Sequence, residues 1–177
     1  MLVRLLGAPV YASLAPLVSL RFTAEDLYPP THWARRGTPP AFDTPDEDVY
    51  LPGRNVMLLS KAAIHCAQHE LERIALGSLA GNPFPDATPA FLAAMADALS
   101  LGLAHRLTIE APLARMRKQD AVALGRELGV PFELTLSCMS PRDGRHCGQC
   151  SKCHERRDAF RAAGVDDPTP YTAPPVR

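Results

Sequence analysis

The chain has 177 residues, about the length of one domain or slightly more, and 46% of them are hydrophobic, which is enough to form a core. Its 19 basic and 19 acidic side chains give no net charge, which argues against broad electrostatic binding to nucleic acid. No apolar run approaches the roughly 20 residues that cross a bilayer, so we expect neither a membrane nor a nucleic acid among its partners.

The first 20 residues, MLVRLLGAPVYASLAPLVSL, are apolar with one early arginine. They fit two interpretations, a signal peptide or the approach to a buried strand. Pro9 and Pro16 interrupt the apolar run, which favours a strand over residues 14–22. We therefore expect the protein in the cytoplasm, where cysteine thiols stay reduced.

Helical and strand patterns alternate along the chain. We predict four strands, at 14–22, 73–79, 105–112 and 131–137, and four helices, at 56–72, 90–102, 117–129 and 153–164. The helix at 90–102 has Thr88 as its N-cap and Pro89 in its first turn. Residues 23–48 and 81–89 are predicted loops, and the tail from Asp166 is predicted to be extended. This alternation indicates an α/β fold with a parallel sheet and helices on both faces. Cys66 falls in the first helix, where we expect a small core residue.

Four of the five cysteines lie in one stretch, SCMSPRDGRHCGQCSKC, which spans residues 137–153. Cys147, Cys150 and Cys153 form a C-x2-C-x2-C pattern, and Cys138 precedes them by nine residues. Two-residue gaps let successive sulfurs converge on one ion, and Gly148 tolerates the positive φ that such a turn requires. In a reducing compartment, clustered cysteines are metal ligands more often than disulfides, and four thiolates suit a tetrahedral structural zinc site.

Two alternatives to zinc stay open at this point. C-x2-C-x2-C also begins the bacterial ferredoxin pattern, but Arg157 stands where that pattern has its fourth cysteine. The cysteines could also be unliganded. His146 and His154 flank the cluster, and with four thiols available each is expected to be a surface residue or to support the ligands from outside.

Three loops offer polar side chains where an α/β sheet binds ligands. In YLPGRN, Arg54 suits a phosphate or carboxylate, and Asn55 can cap the helix that follows. In GNPFPDATP, Asp86 is the only carboxylate, and it could accept hydrogen bonds from a guanine-type edge or form a simple turn. Lys118 lies at the start of a helix, where the helix dipole disfavours lysine, so either a ligand or solvent could be its partner.

Motifs along much of the chain resemble the 7-cyano-7-deazaguanine synthase family of PP-loop ATPases. The shared features are a P-G-R-N turn, a P-D loop, a lysine after a strand end with P-L, E-L-T-x-S-C, C-G-x-C-x-x-C and D-P-T-x-Y. They occur here in the family's order as YLPGRN, NPFPDATPAF, APL, LGVPFELTLSCMSP, HCGQCSKCHERRDAF and DPTPY, over roughly residues 48–171. The cysteine segment is the most specific of these matches.

The resemblance implies a Rossmann-like PP-loop sheet of the adenine nucleotide alpha hydrolase-like type. Residues 1–136 would form an incomplete PP-loop α/β domain, and residues 137–177 a C-terminal zinc-binding segment packed on it. The resemblance also implies that 7-carboxy-7-deazaguanine and ammonia are converted to 7-cyano-7-deazaguanine, in the queuosine and 7-deazapurine pathway. In that reaction ATP, with Mg²⁺, activates the carboxylate as an adenylate, ammonia displaces AMP to give an amide, and a second activation dehydrates the amide to the nitrile.

Residue roles follow from the same resemblance. It implies that zinc is bound by Cys138, Cys147, Cys150 and Cys153. It implies contacts with ATP or the deazapurine for six side chains, while no catalytic residue is identified; the six are Arg54, Asn55, Asp86, Lys118, Thr135 and Ser137. A homodimer is compatible with these expectations.

The chain departs from the family pattern in two ways. The 177 residues contain no S-G-G-x-D-S loop, which holds the ATP pyrophosphate in the family, and no G-x-x-x-x-G-K-[ST] loop. We therefore expect impaired activity, through truncation, a start assigned downstream of the real one, or degeneration of a homologue. The chain also reads GSLAGNPFPDAT where many members read G-V-N-x-x-D-Y-S-G-Y-P-D-C. Two alternatives are thus a non-catalytic zinc-stabilised homologue or binding subunit, and a related ligase for a different deazapurine acid.

Overall fold

The computed structural model describes residues 14–21, 23, 25–38, 40 and 43–173. Its helices and strands, in chain order, are α1 (Trp33–Arg36), α2 (Arg54–Gln68), β1 (Arg73–Ala75), α3 (Pro89–Leu103), β2 (Thr108–Glu110), α4 (Lys118–Glu127) and α5 (Ser151–Ala163). Short 3₁₀ turns occupy Asp46–Val49, Pro85–Ala87 and Phe132–Leu134. These elements belong to two compact units, Tyr50–Lys118 and a second unit that combines the described residues before Tyr50 with residues 119–173.

The Tyr50–Lys118 unit contains the parallel sheet. β1 and β2 pair directly, with Ile74 opposite Ile109. Ile74 is buried among residues of α2 and α3, including Leu59, Ala63 and Leu92. The sheet therefore packs one face on the helices. Such packing is the expected outcome for apolar residues that alternate along a strand and recur every three to four positions along a helix.

Two local predictions in this unit are confirmed. Thr88 caps α3, since its hydroxyl accepts a hydrogen bond from the backbone N–H of Phe91, and Pro89 is the first helical residue. Cys66 is buried in the core, only 5% exposed, and burial raises the pKa of its thiol. It is thus a small apolar residue of α2, as its position in the helical pattern indicates.

In the second unit, α4 and α5 share a small core of Val122, Ala159 and Phe160. The ring of Phe132 packs edge-on against Phe160, with centroids 4.9 Å apart and an interplanar angle of 81°. Gly125 makes room for that ring, because a Cβ there would lie 2.7 Å from it. The core thus ties the 3₁₀ turn that contains Phe132 to the last helix.

The α/β class with a parallel sheet is confirmed, but two predicted strands are wrong. Residues 14–21 form no strand and are exposed, because no neighbouring strand in the described part of the chain pairs with them; Phe22 lies outside the described residues. The predicted strand at 131–137 is a 3₁₀ turn followed by irregular chain. There the hydroxyl of Thr135 donates to the carbonyl of Phe132 at 2.8 Å and favours a turn.

The other element boundaries differ more modestly. β1 and β2 have three residues each, shorter than the predicted strands 73–79 and 105–112. The long loop at 23–48 contains α1 and the start of a 3₁₀ turn. Residues 166–173 form neither a helix nor a strand, and Tyr171 makes an isolated bridge with His146; the last four residues of the predicted tail lie outside the described ones. Among the described helices, none is long and apolar enough to cross a bilayer.

Candidate metal centre and ligand loops

Four cysteine side chains converge at the start of α5. The sulfurs of Cys138, Cys147, Cys150 and Cys153 all lie within 4.8 Å of one another. Three separations are 3.5 Å (Cys150 to Cys153), 3.9 Å (Cys147 to Cys153) and 4.0 Å (Cys138 to Cys150). A Zn–S bond of about 2.3 Å puts the sulfurs of a tetrahedral ion about 3.8 Å apart. The four residues therefore fit a single metal ion, whereas ligands on the separate irons of a cluster would stand further apart.

Backbone N–H groups point at the sulfurs. Cys138 Sγ accepts from the N–H of Ser140 at 3.3 Å and from that of Cys147 at 3.2 Å, and Cys147 Sγ accepts from Gln149 at 3.4 Å. Such donors stabilise thiolates, which are the form that binds metal. These N–H groups come from the turn itself, so the loop that spaces the cysteines also supports their charge.

Proton sharing within the cluster favours one thiolate. The hydrogen bond between Cys150 and Cys153 lowers the pKa of Cys150 to about 4 and raises the pKa of Cys153, which burial raises further. For Cys138, burial raises the pKa more than its two backbone donors lower it. Of this pair, Cys150 is thus the thiol that ionises first, and binding of an ion would displace protons from the ligands that still hold them.

A tight hairpin brings Cys138 back to the other three ligands. Arg142 and Arg145 exchange two backbone hydrogen bonds of 3.0 and 2.8 Å across a two-residue turn. Asp143 and Gly144 in the turn have φ of 49° and 75°, as a type I′ turn requires. The D-G pair in RDGR is therefore a readable hairpin signal, and the hairpin explains how the eight residues between Cys138 and Cys147 allow both sulfurs to reach one ion.

Buried Arg156 organises the chain beside the cluster. Its Nη1 donates to the hydroxyls of Thr135 and Ser137 at 2.9 and 3.3 Å. Its Nε donates to Thr169 Oγ1 at 2.6 Å and lies 3.5 Å from an oxygen of Asp167. The structure thus brings two of the predicted ligand contacts, Thr135 and Ser137, to one guanidinium. It joins them to the D-P-T segment of the tail.

Asp167 balances the Arg156 charge. Burial raises the pKa of this carboxyl, but hydrogen bonds from Thr169 and Tyr171 and the Arg156 charge outweigh burial and hold the pKa below its usual value. The hydroxyl of Tyr171 donates to Asp167 Oδ2 at 2.6 Å. Burial and this bond raise the pKa of Tyr171. The pair therefore stays as carboxylate and neutral phenol at neutral pH.

The two histidines near the cysteines are not placed as ligands. His146 is 2% exposed, and its Nε2 accepts from the backbone N–H of Ser137 at 3.0 Å. Its Nδ1 is buried and has no hydrogen-bond partner among the residues that the structure describes. Burial lowers the pKa of His146, so it is neutral. His154 is half-exposed and pairs with Asp158 at 2.9 Å. The first supports the chain behind the cluster and the second lies at the surface, as predicted.

In the Tyr50–Lys118 unit, the P-G-R-N turn and the P-D loop bind each other. Asp86 Oδ2 accepts from the backbone N–H of Asn55 at 2.9 Å, and the Asn55 side-chain amide donates to the carbonyl of Asp86 at 2.9 Å. Both residues are buried. The prediction that Asn55 caps this helix is wrong: Asn55 is the second residue of α2 and the N-cap is Gly53, which has no side chain to offer, so Asp86 supplies the anion at that helix N-terminus.

The two remaining predicted ligand contacts in this unit are Arg54, which precedes Asn55, and Lys118, the last residue of the unit. Arg54 is the first residue of α2 and half-buried, and its Nε donates to Asn55 Oδ1 at 3.3 Å. Lys118 begins α4 and is also half-buried. Tyr50 and Phe84 stack with centroids 4.7 Å apart and an interplanar angle of 15°. The structure therefore joins Arg54, Asn55 and Asp86 by hydrogen bonds, and it stacks two aromatic residues that precede the P-G-R-N turn and Asp86 in the sequence.

Sequence reasoning missed Arg156 and Asp167 as structural residues. A signal for Arg156 was present in the helical spacing, because Cys153, Arg156 and Phe160 are three and four positions apart and so share a face of α5. A charged residue on a buried face requires a partner. The acid in D-P-T, eleven residues further along, is the partner that this spacing calls for.

The sequence matches one protein family and several proteins of known name. A family model described as Queuosine biosynthesis protein QueC matches residues 41–164. The chain is 42% identical over 130 residues to the 7-cyano-7-deazaguanine synthase of Anaeromyxobacter dehalogenans (strain 2CP-C), covering 70% of this chain and 56% of that protein.

Two further relatives carry the same name. The 7-cyano-7-deazaguanine synthase of Methanoculleus marisnigri is 42% identical over 127 residues, with 70% of this chain and 57% of that protein covered. That of Methanopyrus kandleri is 40% identical over 164 residues, with 80% and 72% covered. The chain thus spans little more than half the length of the first two relatives.

Proposed function

Because the chain belongs to the QueC family of queuosine biosynthesis proteins, we propose that it acts in the ATP-dependent conversion of 7-carboxy-7-deazaguanine and ammonia to 7-cyano-7-deazaguanine. The family match over residues 41–164 carries this proposal, since it contains all four clustered cysteines and all six predicted ligand contacts. The proposal includes Mg²⁺ with ATP and a cytoplasmic location.

We propose that the metal is zinc and that its role is structural. Four sulfur ligands with separations near those of a tetrahedral ion support this choice. Four protein ligands also leave no position for water, so the ion would stabilise the turn before α5 rather than activate a nucleophile. The same set of soft ligands disfavours magnesium or calcium.

For the ligand loops we propose a division of roles. Arg54 lies at a helix start and offers a guanidinium suited to phosphate or carboxylate, and Lys118 offers a second cation. Asp86 and Asn55 hold the turn that presents Arg54, because each is engaged with the other. The Tyr50–Phe84 stack supplies a flat surface, which suits a planar base.

A second candidate is a non-catalytic or differently specific member of the family. Two observations favour it: the 177 residues contain no S-G-G-x-D-S loop, and the P-D loop reads NPFPD where many members of the family read Y-S-G-Y-P-D. Without a nest of backbone N–H groups, binding of the triphosphate and stabilisation of the leaving pyrophosphate both fall sharply. We therefore expect these residues alone to hold zinc but to turn over little ATP.

Metal analysis and an AMP-release assay on the same preparation test both parts. We expect about one zinc ion per chain and little AMP release with 7-carboxy-7-deazaguanine and ammonia. The synthase of Anaeromyxobacter dehalogenans, assayed in parallel, is the positive control. Robust AMP release by this chain would overturn the expected impairment. A preparation that holds no metal after reconstitution would overturn the zinc assignment.

A further inference from the structure

We propose that Arg157 is a positioning residue of the metal centre. Its side chain clamps the loop from His146 to Cys150, here called the ligand loop, to the C-terminal segment, and so determines how tightly the ion is held. The inference rests on the proposed binding of zinc by the four cysteines. It goes beyond that proposal because it assigns a role to a residue that supplies no ligand atom.

Three contacts of one guanidinium define the clamp. Nη1 of Arg157 donates to the carbonyl of Gly148 at 2.8 Å, inside the ligand loop. Nη2 donates to the carbonyl of Ala173 at 3.3 Å, in the C-terminal segment. The guanidinium carbon also lies 3.8 Å from the centroid of the Tyr171 ring, a close cation–π contact. One side chain of α5 therefore joins two segments far apart in sequence.

The ligand loop is held at successive carbonyl groups. The carbonyl of His146 accepts from the backbone N–H of Thr172 at 2.8 Å, and that of Cys147 accepts from the Thr172 hydroxyl at 3.2 Å. The carbonyl of Gly148 is the one bound by Arg157. A loop fixed in this way loses little conformational freedom when a metal binds, so more of the ligand–metal interaction appears as affinity.

The charge of Arg157 is also available to the loop. In the described part of the chain, no carboxylate lies within 4.0 Å of its guanidinium, whereas the neighbouring Arg156 and Arg161 pair with Asp167 and Asp158. Four thiolates around a divalent cation carry a net charge of two negative units. A guanidinium bound to the backbone of the ligand loop offsets part of that charge, as partners outside the ligand sphere commonly do.

The test compares zinc release from Arg157→Ala, Arg157→Lys and the control Arg161→Ala, with a chromogenic chelator as the competitor. Arg161 lies on the same helix, is exposed and is paired with Asp158, so its loss changes the net charge equally without touching the clamp. We expect Arg157→Ala to weaken zinc binding about 10–100-fold. Lysine should recover part of this, because it restores the charge but not the two-pronged bond, and Arg161→Ala should match the wild type.

A second variant and a spectroscopic readout keep the proposal testable if Arg157→Ala does not fold. Tyr171→Leu removes the ring beneath the guanidinium together with the hydroxyl that donates to Asp167, whereas Tyr171→Phe removes the hydroxyl alone. We expect zinc release from Tyr171→Leu to be faster than from Tyr171→Phe but slower than from Arg157→Ala. The Co²⁺-substituted proteins should show shifted sulfur-to-cobalt charge-transfer bands for Arg157→Ala and unchanged bands for Arg161→Ala. Equal zinc affinity and equal spectra for all variants would overturn the proposed role of Arg157 but not the proposal that the cysteines bind zinc. A wild-type chain that binds neither ion would overturn the zinc proposal itself.

Discussion

Replacing Gly148 by alanine should detach the C-terminal segment from the ligand loop. Gly148 has a φ of +81°, and a Cβ built on it would lie 2.3 Å from the carbonyl oxygen of Ala173 and 3.1 Å from a guanidinium nitrogen of Arg157. The first distance is far inside van der Waals contact and involves backbone on both sides, so the side chain cannot simply rotate away. The segment around Ala173 must move instead.

The cost has two parts. Placing an L-residue in the left-handed region costs about 1–2 kcal/mol. Moving the segment also breaks the hydrogen bond from Arg157 to Ala173 and strains the neighbouring bond from Thr172 to His146, each worth about 0.5–1.5 kcal/mol. We expect Gly148→Ala to destabilise this unit by about 3 kcal/mol, which is a Tm lower by about 6–12 °C at this chain length.

Thermal unfolding followed by tryptophan fluorescence measures the effect, because Trp33 is the only tryptophan of the chain and belongs to the same unit as Gly148. Gly144→Ala is the matched control. Gly144 has a φ of +75°, but a Cβ there meets nothing within 4 Å, so this variant carries only the backbone strain of about 1–2 kcal/mol. If the two variants lower Tm equally, contact with Ala173 is not what makes Gly148→Ala costly.

Two further predictions concern a buried carboxylate, Asp86, and a partly buried one, Asp167. Asp86→Ala should lower the free energy of unfolding by about 0.5–2 kcal/mol, because the Asn55 N–H loses its acceptor, and Asp86→Asn should lower it less. Urea unfolding of both variants checks this order, and equal losses of stability would contradict it. Because the pKa of Asp167 is depressed in the folded chain, its stabilisation is present above the unfolded value of about 3.9 and is lost as pH falls through the folded value. In metal-free reduced protein, Asp167→Asn should therefore flatten the acid limb of a stability–pH profile, and an acid limb as steep as that of the wild type would contradict this prediction.

The convergence of the four cysteines could be predicted because the information that brings them together is local. Cys147, Cys150 and Cys153 are joined by two-residue gaps, so their sulfurs converge whatever the rest of the fold does. Cys138 needed one further step, closure of the hairpin across Asp143 and Gly144, and both turn residues are visible in the sequence. Side-chain chemistry and turn geometry thus agree within one short stretch.

The two wrong strands depend on non-local information. Residues 14–21 have the apolar content of a strand, but a strand exists only where another chain segment accepts its backbone hydrogen bonds. At 131–137 the competing interactions are a short-range bond from Thr135 to Phe132 and the distant guanidinium of Arg156. Strand propensity does not include either interaction, since one is a side-chain bond and the other comes from a helical residue 21 positions further along the chain.

The hydroxyls of Thr135 and Ser137, which the sequence predicts equally as ligand contacts, differ in their hydrogen bonds. A hydroxyl has one donor and two acceptor sites. Thr135 donates its proton to the carbonyl of Phe132 and accepts from Arg156, so its donor is already used. Ser137 Oγ accepts from Arg156, and no acceptor for its proton is found among the described residues. Of the two proposed ligand contacts, Ser137 is therefore the one that can donate to an anionic or carbonyl oxygen without giving up an internal bond. Arg156 beneath it would strengthen that donation by withdrawing electron density from the hydroxyl.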